Sequence, residues 1–466
     1  MLSRISSINE KISSSPINKV VVTILRILVG GTFIFSGFVK AIDPMGSVYK
    51  FHEYITALSF SNFIGSEVVL AFIIPVLELV LGVMILTGCC RYGSLFVTMA
   101  LMAVMLPLTL FLAKTNAVAD CGCFGDAVKL TNWQTFWKNV ALTLAILYLL
   151  FHNKSVPSLY GPAIQWIVIL ITFILAATIT YIGYSTQPLI DFRPFKVGTK
   201  IGSSLAPVGE DDFVFIYKKD GVQKEFSLDS IPDEEEGWSF VDRKKITPDL
   251  SPAQKAEQAT FSIFDEGTDV TEEVIDTTGN QMLILMPEFQ KVNKAYAFVL
   301  NDIAKACKER GAQLCVITAA FNNEIEQWKD LTSPEYPIYN ADDTDIKMLA
   351  RGNPAIVYVE NGKIVWKRTF SSLNANRLLK DNVPLAHLSD DFSPKKWLWG
   401  LLWPYILIMI VLLLLNRTYP VASFIIKKIK AIRNKTHESS EVSDEANNAS
   451  ETTDDNETDI SSESNE

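Results

Sequence analysis

Cysteine and histidine are scarce: the 466-residue chain has six of the first and four of the second. Six cysteines are too few for a disulfide-stapled scaffold, and none joins a histidine at zinc-ligand spacing, so no metal site is expected. The histidines, His52, His152, His387 and His437, are scattered, and none lies well inside an apolar run, so no haem-ligand pair is visible. Basic excess is also lacking. With 42 Lys and Arg against 52 Asp and Glu, a net charge of -10, nothing reads as nucleic-acid binding. Apolar residues make up 48% of the chain and are gathered into long runs with a polar region between them. That pattern predicts membrane spans plus a soluble domain.

Six apolar runs, at 20–41, 67–86, 94–113, 133–151, 162–184 and 397–415, reach the roughly 20 residues that a helix needs to cross a bilayer. No small-residue cleavage site follows the first, which therefore reads as a retained span rather than a signal peptide. The fourth is the least apolar and needs Trp133, Phe136 and Trp137 as an interfacial belt, with Lys138 snorkelling. Arg4, Lys11 and Lys19 precede the first span, and Lys427, Lys428, Lys430, Arg433 and Lys435 follow the last, which puts both ends in the cytoplasm. An even number of spans then places the loop around Cys121 and the region 187–396 on one extracytoplasmic face. The expectation is a multi-pass α-helical protein of a bacterial plasma membrane. Its parts are a cytoplasmic N-terminus (1–19), a four-helix membrane domain (20–152), a fifth span (153–186), an extracytoplasmic domain (187–396), a sixth span (397–416) and a basic segment with an acidic tail (417–466). From His437 the tail is rich in Ser, Asn, Asp and Glu and reads as disordered.

Within 187–396 the pattern changes to short strands and amphipathic helices. A β-hairpin over 212–217 and 222–228 is expected in a first part, 187–260, ahead of an α/β unit at about 260–380. In that unit a strand at 281–286 leads to a helix ending near Arg310, with Gly311 as its C-cap. A strand at 313–318 leads to a helix at 323–331, and strands at 355–360 and 363–367 turn on Asn361-Gly362. This β-α-β-α-β-β order, with Asn353-Pro354 opening a strand, resembles a thioredoxin-like domain. The resemblance implies a Cys-x-x-Cys directly after strand 281–286, where this chain has Pro287-Glu288-Phe289-Gln290-Lys291. It therefore implies the fold without the redox activity, and a binding role. It also implies a cis proline at Pro354, with Asn353 before it, beside a partner groove; a trans proline opening a strand is the alternative. Cys307 and Cys315 read as small core residues, or else as a structural disulfide.

Chemistry is proposed at one place, Asp120-Cys121-Gly122-Cys123-Phe124-Gly125-Asp126. Two thiols separated by one glycine can close a small disulfide ring, because Gly122 permits the tight turn, and strained disulfides exchange readily. A glycine turn at a helix entrance is the plainer alternative. Cys89-Cys90 falls on the opposite, cytoplasmic side, where thiols are expected. Two charges lie inside spans, Arg26 about 9 Å and Glu78 about 15 Å from the inner ends of their runs at 1.5 Å per residue. Charge in hydrocarbon is costly unless paired, so an Arg26–Glu78 ion pair is expected, with snorkelling of Arg26 as the alternative.

Arg26 with Gly30-Gly31, Phe35-Ser36-Gly37, Lys40 and Asp43-Pro44, then Pro75 and Glu78, then the Asp120 to Asp126 string, resemble in order the MauE branch of the DoxX-like family over about 130 residues. The resemblance implies a four-helix membrane bundle, similar in outline to vitamin K epoxide reductase, and a role in disulfide formation in exported proteins. It makes Cys121 and Cys123 the expected catalytic pair, acting on an exported protein substrate from a position among membrane lipid. No cofactor is evident, and a quinone is compatible as electron acceptor. The fused soluble domain departs from the family pattern, so methylamine metabolism does not follow. Two other readings stand beside this one. In the first, the chain is a non-enzymatic scaffold or assembly factor whose soluble domain binds an exported partner. In the second it is a quinone-linked, DoxX-like oxidase subunit.

Overall fold

The computed structural model describes residues 15–60, 63–118, 120–201, 213–219, 222–227, 239–245, 261–265, 267–275, 278–379 and 383–418. The acidic tail, His437 and the terminal basic residues other than Lys19 lie outside them. Six helices are long and apolar enough to cross a membrane: α1 (Pro16–Ile42), α3 (Glu67–Thr87), α4 (Arg91–Thr115), α5 (Asn132–His152), α6 (Pro162–Ser185) and a C-terminal helix, Pro394–Thr418. They match the six expected runs and extend slightly past them. An unforeseen helix, α2 (Pro44–Ala57), joins α1 to α3. It has no long apolar run to betray it, but its start is well marked: Pro44 occupies the first turn, and the Asp43 carboxylate accepts the Gly46 N–H at 3.0 Å as an N-cap.

Glycines decide how closely α1 and α3 pack. A Cβ on Gly37 would lie 2.5 Å from Leu79 N, and one on Gly82 would lie 2.6 Å from Ile34 N. Only glycine lets two helix backbones meet at that distance. The contact sets Ser36 and Lys40 of α1 directly against Glu78 of α3. The C-terminal helix rests on α6, where Tyr405 and Thr172 hydroxyls lie 3.1 Å apart, and the Tyr160 hydroxyl donates to the Met409 carbonyl at 3.0 Å.

Beyond the fifth span, β1 (Phe213–Lys219), β2 (Val222–Ser227) and β3 (Ser239–Lys245) form an antiparallel sheet in the order β2-β1-β3, which contains the expected hairpin. A larger α/β region follows: β4 (Ile263–Asp265), β5 (Thr268–Asp269), β6 (Asn280–Met286), α7 (Tyr296–Glu309), β7 (Ala312–Thr318), α8 (Asn322–Thr332), β8 (Ile338–Ala341), α9 (Asp343–Leu349), β9 (Ala355–Glu360) and β10 (Lys363–Thr369). Its seven strands run in the order β10-β9-β6-β7-β8-β4-β5, with β6, β7 and β8 parallel and the others antiparallel to their neighbours. The β9–β10 turn holds Asn361 at φ 51° and Gly362 at φ 72°, the pair of left-handed conformations that an Asn-Gly hairpin turn favours.

Alternation along the strands separates two cores. Met282, Ile284 and Met286 pack under α7 and α8, whereas Leu283 and Leu285 pack with Ile346 and Leu349 of α9 on the other face. Cys307 belongs to the first core and Cys315 to the second. Both are free thiols, so the structural disulfide between them is ruled out by the sheet that stands in the way. The link from α6 to the sheet is fastened by a buried network. Arg193 pairs with both oxygens of Asp191 at 2.8 and 3.0 Å, and Lys367 Nζ lies 2.9 Å from Asp191 and 2.7 Å from the Leu349 carbonyl.

Candidate functional site

The charge inside the bundle is paired, but not with the expected partner. Lys40 Nζ lies 2.7 and 2.9 Å from the two oxygens of Glu78 and 3.2 Å from Ser36 Oγ, so all three ammonium protons have acceptors. Ser36 Oγ is 2.7 Å from Glu78 Oε2 and 2.8 Å from the Cys123 carbonyl oxygen; its single proton serves one of them at a time. Both charged groups are buried. Such a pair is held by its mutual geometry, because desolvating either ion alone costs several kcal/mol. Arg26 is elsewhere. It donates to the carbonyls of Ile85 at 3.0 Å, Leu86 at 3.3 Å and Pro157 at 3.3 Å, so it caps the C-terminal end of α3 instead of neutralising Glu78. Gly88 makes the room, since a Cβ there would meet the guanidinium at 2.2 Å.

Above the Lys40–Glu78 pair sits the cysteine loop. Gly122 at φ 59° and Gly125 at φ 52° bend it back on itself, and the Gly125 N–H donates to the Gly122 carbonyl at 3.0 Å. The turn brings Cys121 Sγ and Cys123 Sγ to 2.8 Å as free thiols. Two groups from α2 hold the loop: Lys50 lies 3.4 Å from Asp120, and the Tyr54 hydroxyl donates to the Cys121 carbonyl. Phe124 is clasped between Phe35 and Lys138, whose Nζ stands 4.3 Å from the ring centroid.

Electrostatics divides the two thiols. The Cys121 S–H, donating to Cys123, pulls the Cys123 pKa down to about 6 against the opposing effect of burial, and the Lys138 and Lys40 ammonium groups act in the same direction. That hydrogen bond and burial together push Cys121 upward. The two shifts are opposite in sign, so Cys123 is the thiol of the pair that ionises more readily. Cys123 also borders a cavity of about 40 Å³ that reaches into the bundle, with Ser36, Lys40, Glu78, Lys138 and Asn139 on its wall.

Other residues singled out from the sequence are placed less centrally. Cys89 is buried and Cys90 exposed. Asn353-Pro354 is a cis bond, and the Asn353 side chain donates to the Glu288 carbonyl at 2.7 Å, so this loop faces the turn after β6 that lacks cysteines. The described histidines have protein partners of their own: His52 with Glu67, His152 stacked on Tyr148 and His387 with Asp390. Among the described residues no group of His, Cys, Asp or Glu could hold a metal ion. Roles for Ser36, Lys40, Lys138 and Tyr54 escaped the sequence reading. For Ser36 and Lys40 a signal existed, since residues four apart share a helix face.

Two known families match parts of the chain. Residues 18–152 match the methylamine utilisation protein MauE, and residues 212–247 match a domain of unknown function (DUF8463). No curated protein matches the chain. The bundle from α1 to α5 is thus similar to a membrane protein of the MauE type, and it carries the cysteine loop and the Lys40–Glu78 pair.

Proposed function

We propose that the protein exchanges thiols and disulfides at Cys121–Cys123 for the maturation of exported proteins, in a bacterial plasma membrane with the cysteine loop and the α/β region on the extracytoplasmic side. The observation that carries this reading is the dithiol itself: two sulfurs 2.8 Å apart, joined by a hydrogen bond, with Lys40 and Lys138 favouring the thiolate of Cys123. In the oxidised state of the pair, a substrate thiolate attacks one sulfur and forms a mixed disulfide while the other leaves as a thiolate. A second substrate thiolate then displaces the first sulfur. The substrate loses two electrons, the pair gains them, and the substrate's thiol protons balance the two new thiols.

Restoring the disulfide needs a two-electron acceptor. Lys138 and Asn139 suit a quinone in kind as donors, but a cavity of about 40 Å³ holds a few waters rather than a six-membered ring. An acceptor disulfide offered at the loop needs no such space. The α/β region reads as a thioredoxin-like domain because β6, α7, β7, α8, β9 and β10 follow one another in the expected order, and its role is binding, since no thiol directly follows β6. The rapid test is to quench growing cells in acid and count blocked thiols at Cys121 and Cys123. A substantial oxidised fraction that falls when cells are treated with dithiothreitol supports the reading. A pair that stays fully reduced overturns it in favour of an assembly factor, a second reading favoured by an α/β domain that has no cysteine directly after β6 and is seated on the bundle.

A further inference from the structure

A side chain of the α/β region reaches the cysteine loop. Arg351 lies between α9 and β9, and its main chain is pinned to Gln187, whose side-chain oxygen accepts the Arg351 N–H at 3.0 Å. The guanidinium leaves the sheet and enters the bundle. Nε and Nη2 lie 3.0 and 2.9 Å from Asp43 Oδ2, Nη2 also lies 2.7 Å from Asp126 Oδ2, and Nη1 donates to the Lys347 carbonyl at 2.9 Å. The Tyr49 ring of α2 lies beside it, with its centroid 5.4 Å from Arg351 Cζ. The Arg351 side chain is 8% exposed, and although burial alone would lower its pKa, the Asp43 and Asp126 carboxylates outweigh that and raise it. A planar fork that bridges two carboxylates cannot be replaced by a point charge.

These two carboxylates are not equivalent. Asp43 caps α2, the helix that supplies Lys50 and Tyr54 to the cysteine loop, whereas Asp126 is the far end of the loop itself. The loop is therefore held at Asp120 by Lys50 and at Asp126 by Arg351. We propose that Arg351 is a positioning residue for the cysteine pair: through Asp126 it keeps Cys123 turned toward Lys40 and Lys138, so that docking of the α/β region governs the thiolate of the membrane bundle. The proposal deepens the exchange reading and rests on it for biological meaning, but its geometry is tested without any exchange.

The test uses full-length protein in detergent, reduced and freed of reductant, with alkylation of Cys123 followed by peptide mass spectrometry from pH 5 to pH 9. The charged and titratable groups acting on the thiol are Cys121, Lys138, Lys40, Glu78 and Tyr54, with the Lys50–Asp120 pair at the near end of the loop. Asp126→Asn is the discriminating variant because of its sign. Removing a carboxylate through space stabilises a thiolate and lowers its pKa, whereas loss of the loop position moves Cys123 away from two lysines and raises it. The expected result is a rise of about one unit in the alkylation midpoint, which lowers the rate at pH 5, taken relative to its plateau, about tenfold. Arg351→Lys keeps the charge but cannot bridge both carboxylates, so it should shift the midpoint the same way. It also serves if the first variant does not fold. A midpoint that is unchanged or lower in a folded variant overturns the proposal. Cys123 alkylation that responds as expected while Cys121→Ser and Cys123→Ser leave function intact would retain the positioning role and remove the exchange reading.

Discussion

Two of the chain's three cysteine pairs fold into opposite circumstances. In the membrane loop, Cys121 and Cys123 meet at 2.8 Å beside two lysines, and their hydrogen bond lowers the pKa of one thiol and raises that of the other. In the α/β region, Cys307 and Cys315 occupy opposite faces of one sheet, and burial pushes each thiol up to about 12. The residues are the same, but the first pair has a mutual hydrogen bond and two nearby lysines, whereas burial dominates the second and outweighs the one guanidinium, Arg310, that acts on Cys307. Thiol chemistry is decided by that environment.

The largest expected effect breaks the comparison if it fails. Cys121→Ser and Cys123→Ser should each abolish disulfide transfer to an exported reporter, at least 100-fold, with protein levels nearly unchanged, because a ring this small constrains little chain. Cys307→Ala and Cys315→Ala should leave transfer intact. Equal losses from all four changes would show that transfer follows folding rather than the loop.

Next in size is the pair beneath the loop. Lys40→Met alone leaves Glu78 buried without its cation, and the cost is about 3–5 kcal/mol. Glu78→Leu in the same chain should recover most of the lost folded protein, measured as the yield of detergent-soluble monomer and its melting temperature. Arg26 supplies the control. With its protons on three carbonyls, Arg26→Leu should show no such rescue by Glu78→Leu, and additive losses are expected. Rescue of Arg26→Leu instead of Lys40→Met would restore the pairing that the sequence suggests.

How far the sequence could be read depends on the range of each interaction. Spans are legible because the bilayer imposes length and apolarity on a continuous stretch, and the cysteine loop is legible because its chemistry is local. Glu78 was recognisable as a charge in need of a partner, but the partner was not, because Lys40 sits at the end of its run and looks like an interfacial lysine. What brings it inward is the glycine contact between α1 and α3, which no periodicity announces. β8 and α9 are too short to stand out. Arg351 had no signal at all: it lies 225 residues from Asp126, and only the folded sheet brings them together.

A third, smaller effect sharpens the electrostatic half of the comparison. A Cys123 pKa near 6 makes the thiolate appear as pH rises through about 6, so that at pH 7 it is about 90% ionised, against about 3% for a thiol at the ordinary 8.5. The population advantage is about 30-fold. Rates should show less of it, because a low-pKa thiolate is also a weaker nucleophile. The midpoint of the alkylation profile, normalised to its own plateau, is the quantity to measure. Cys307 and Cys315, at about 12, should stay unmodified across the same range in the native protein, and a midpoint for Cys123 above 8 would remove the distinction between the pairs.

The smallest expected effect concerns Gly122. A left-handed residue with a Cβ costs about 1–2 kcal/mol, and Gly122 has φ 59° in the dithiol state, before any ring closes. An added methyl would also approach Lys50 Cγ at 3.0 Å, but that chain is flexible and can move aside. The strain of Gly122→Ala therefore falls on the reduced protein itself, and not only on the disulfide, as the sequence alone would suggest. Reduced Gly122→Ala protein should melt slightly below the reduced parent. The redox equilibrium against glutathione should shift by less than the 5- to 30-fold that 1–2 kcal/mol would give if one state bore the whole cost. A full shift with an unchanged melting temperature of the reduced form would show that the dithiol turn relaxes to accept alanine. In that case the loop geometry seen beside Lys40 would not be what holds Cys123 in place.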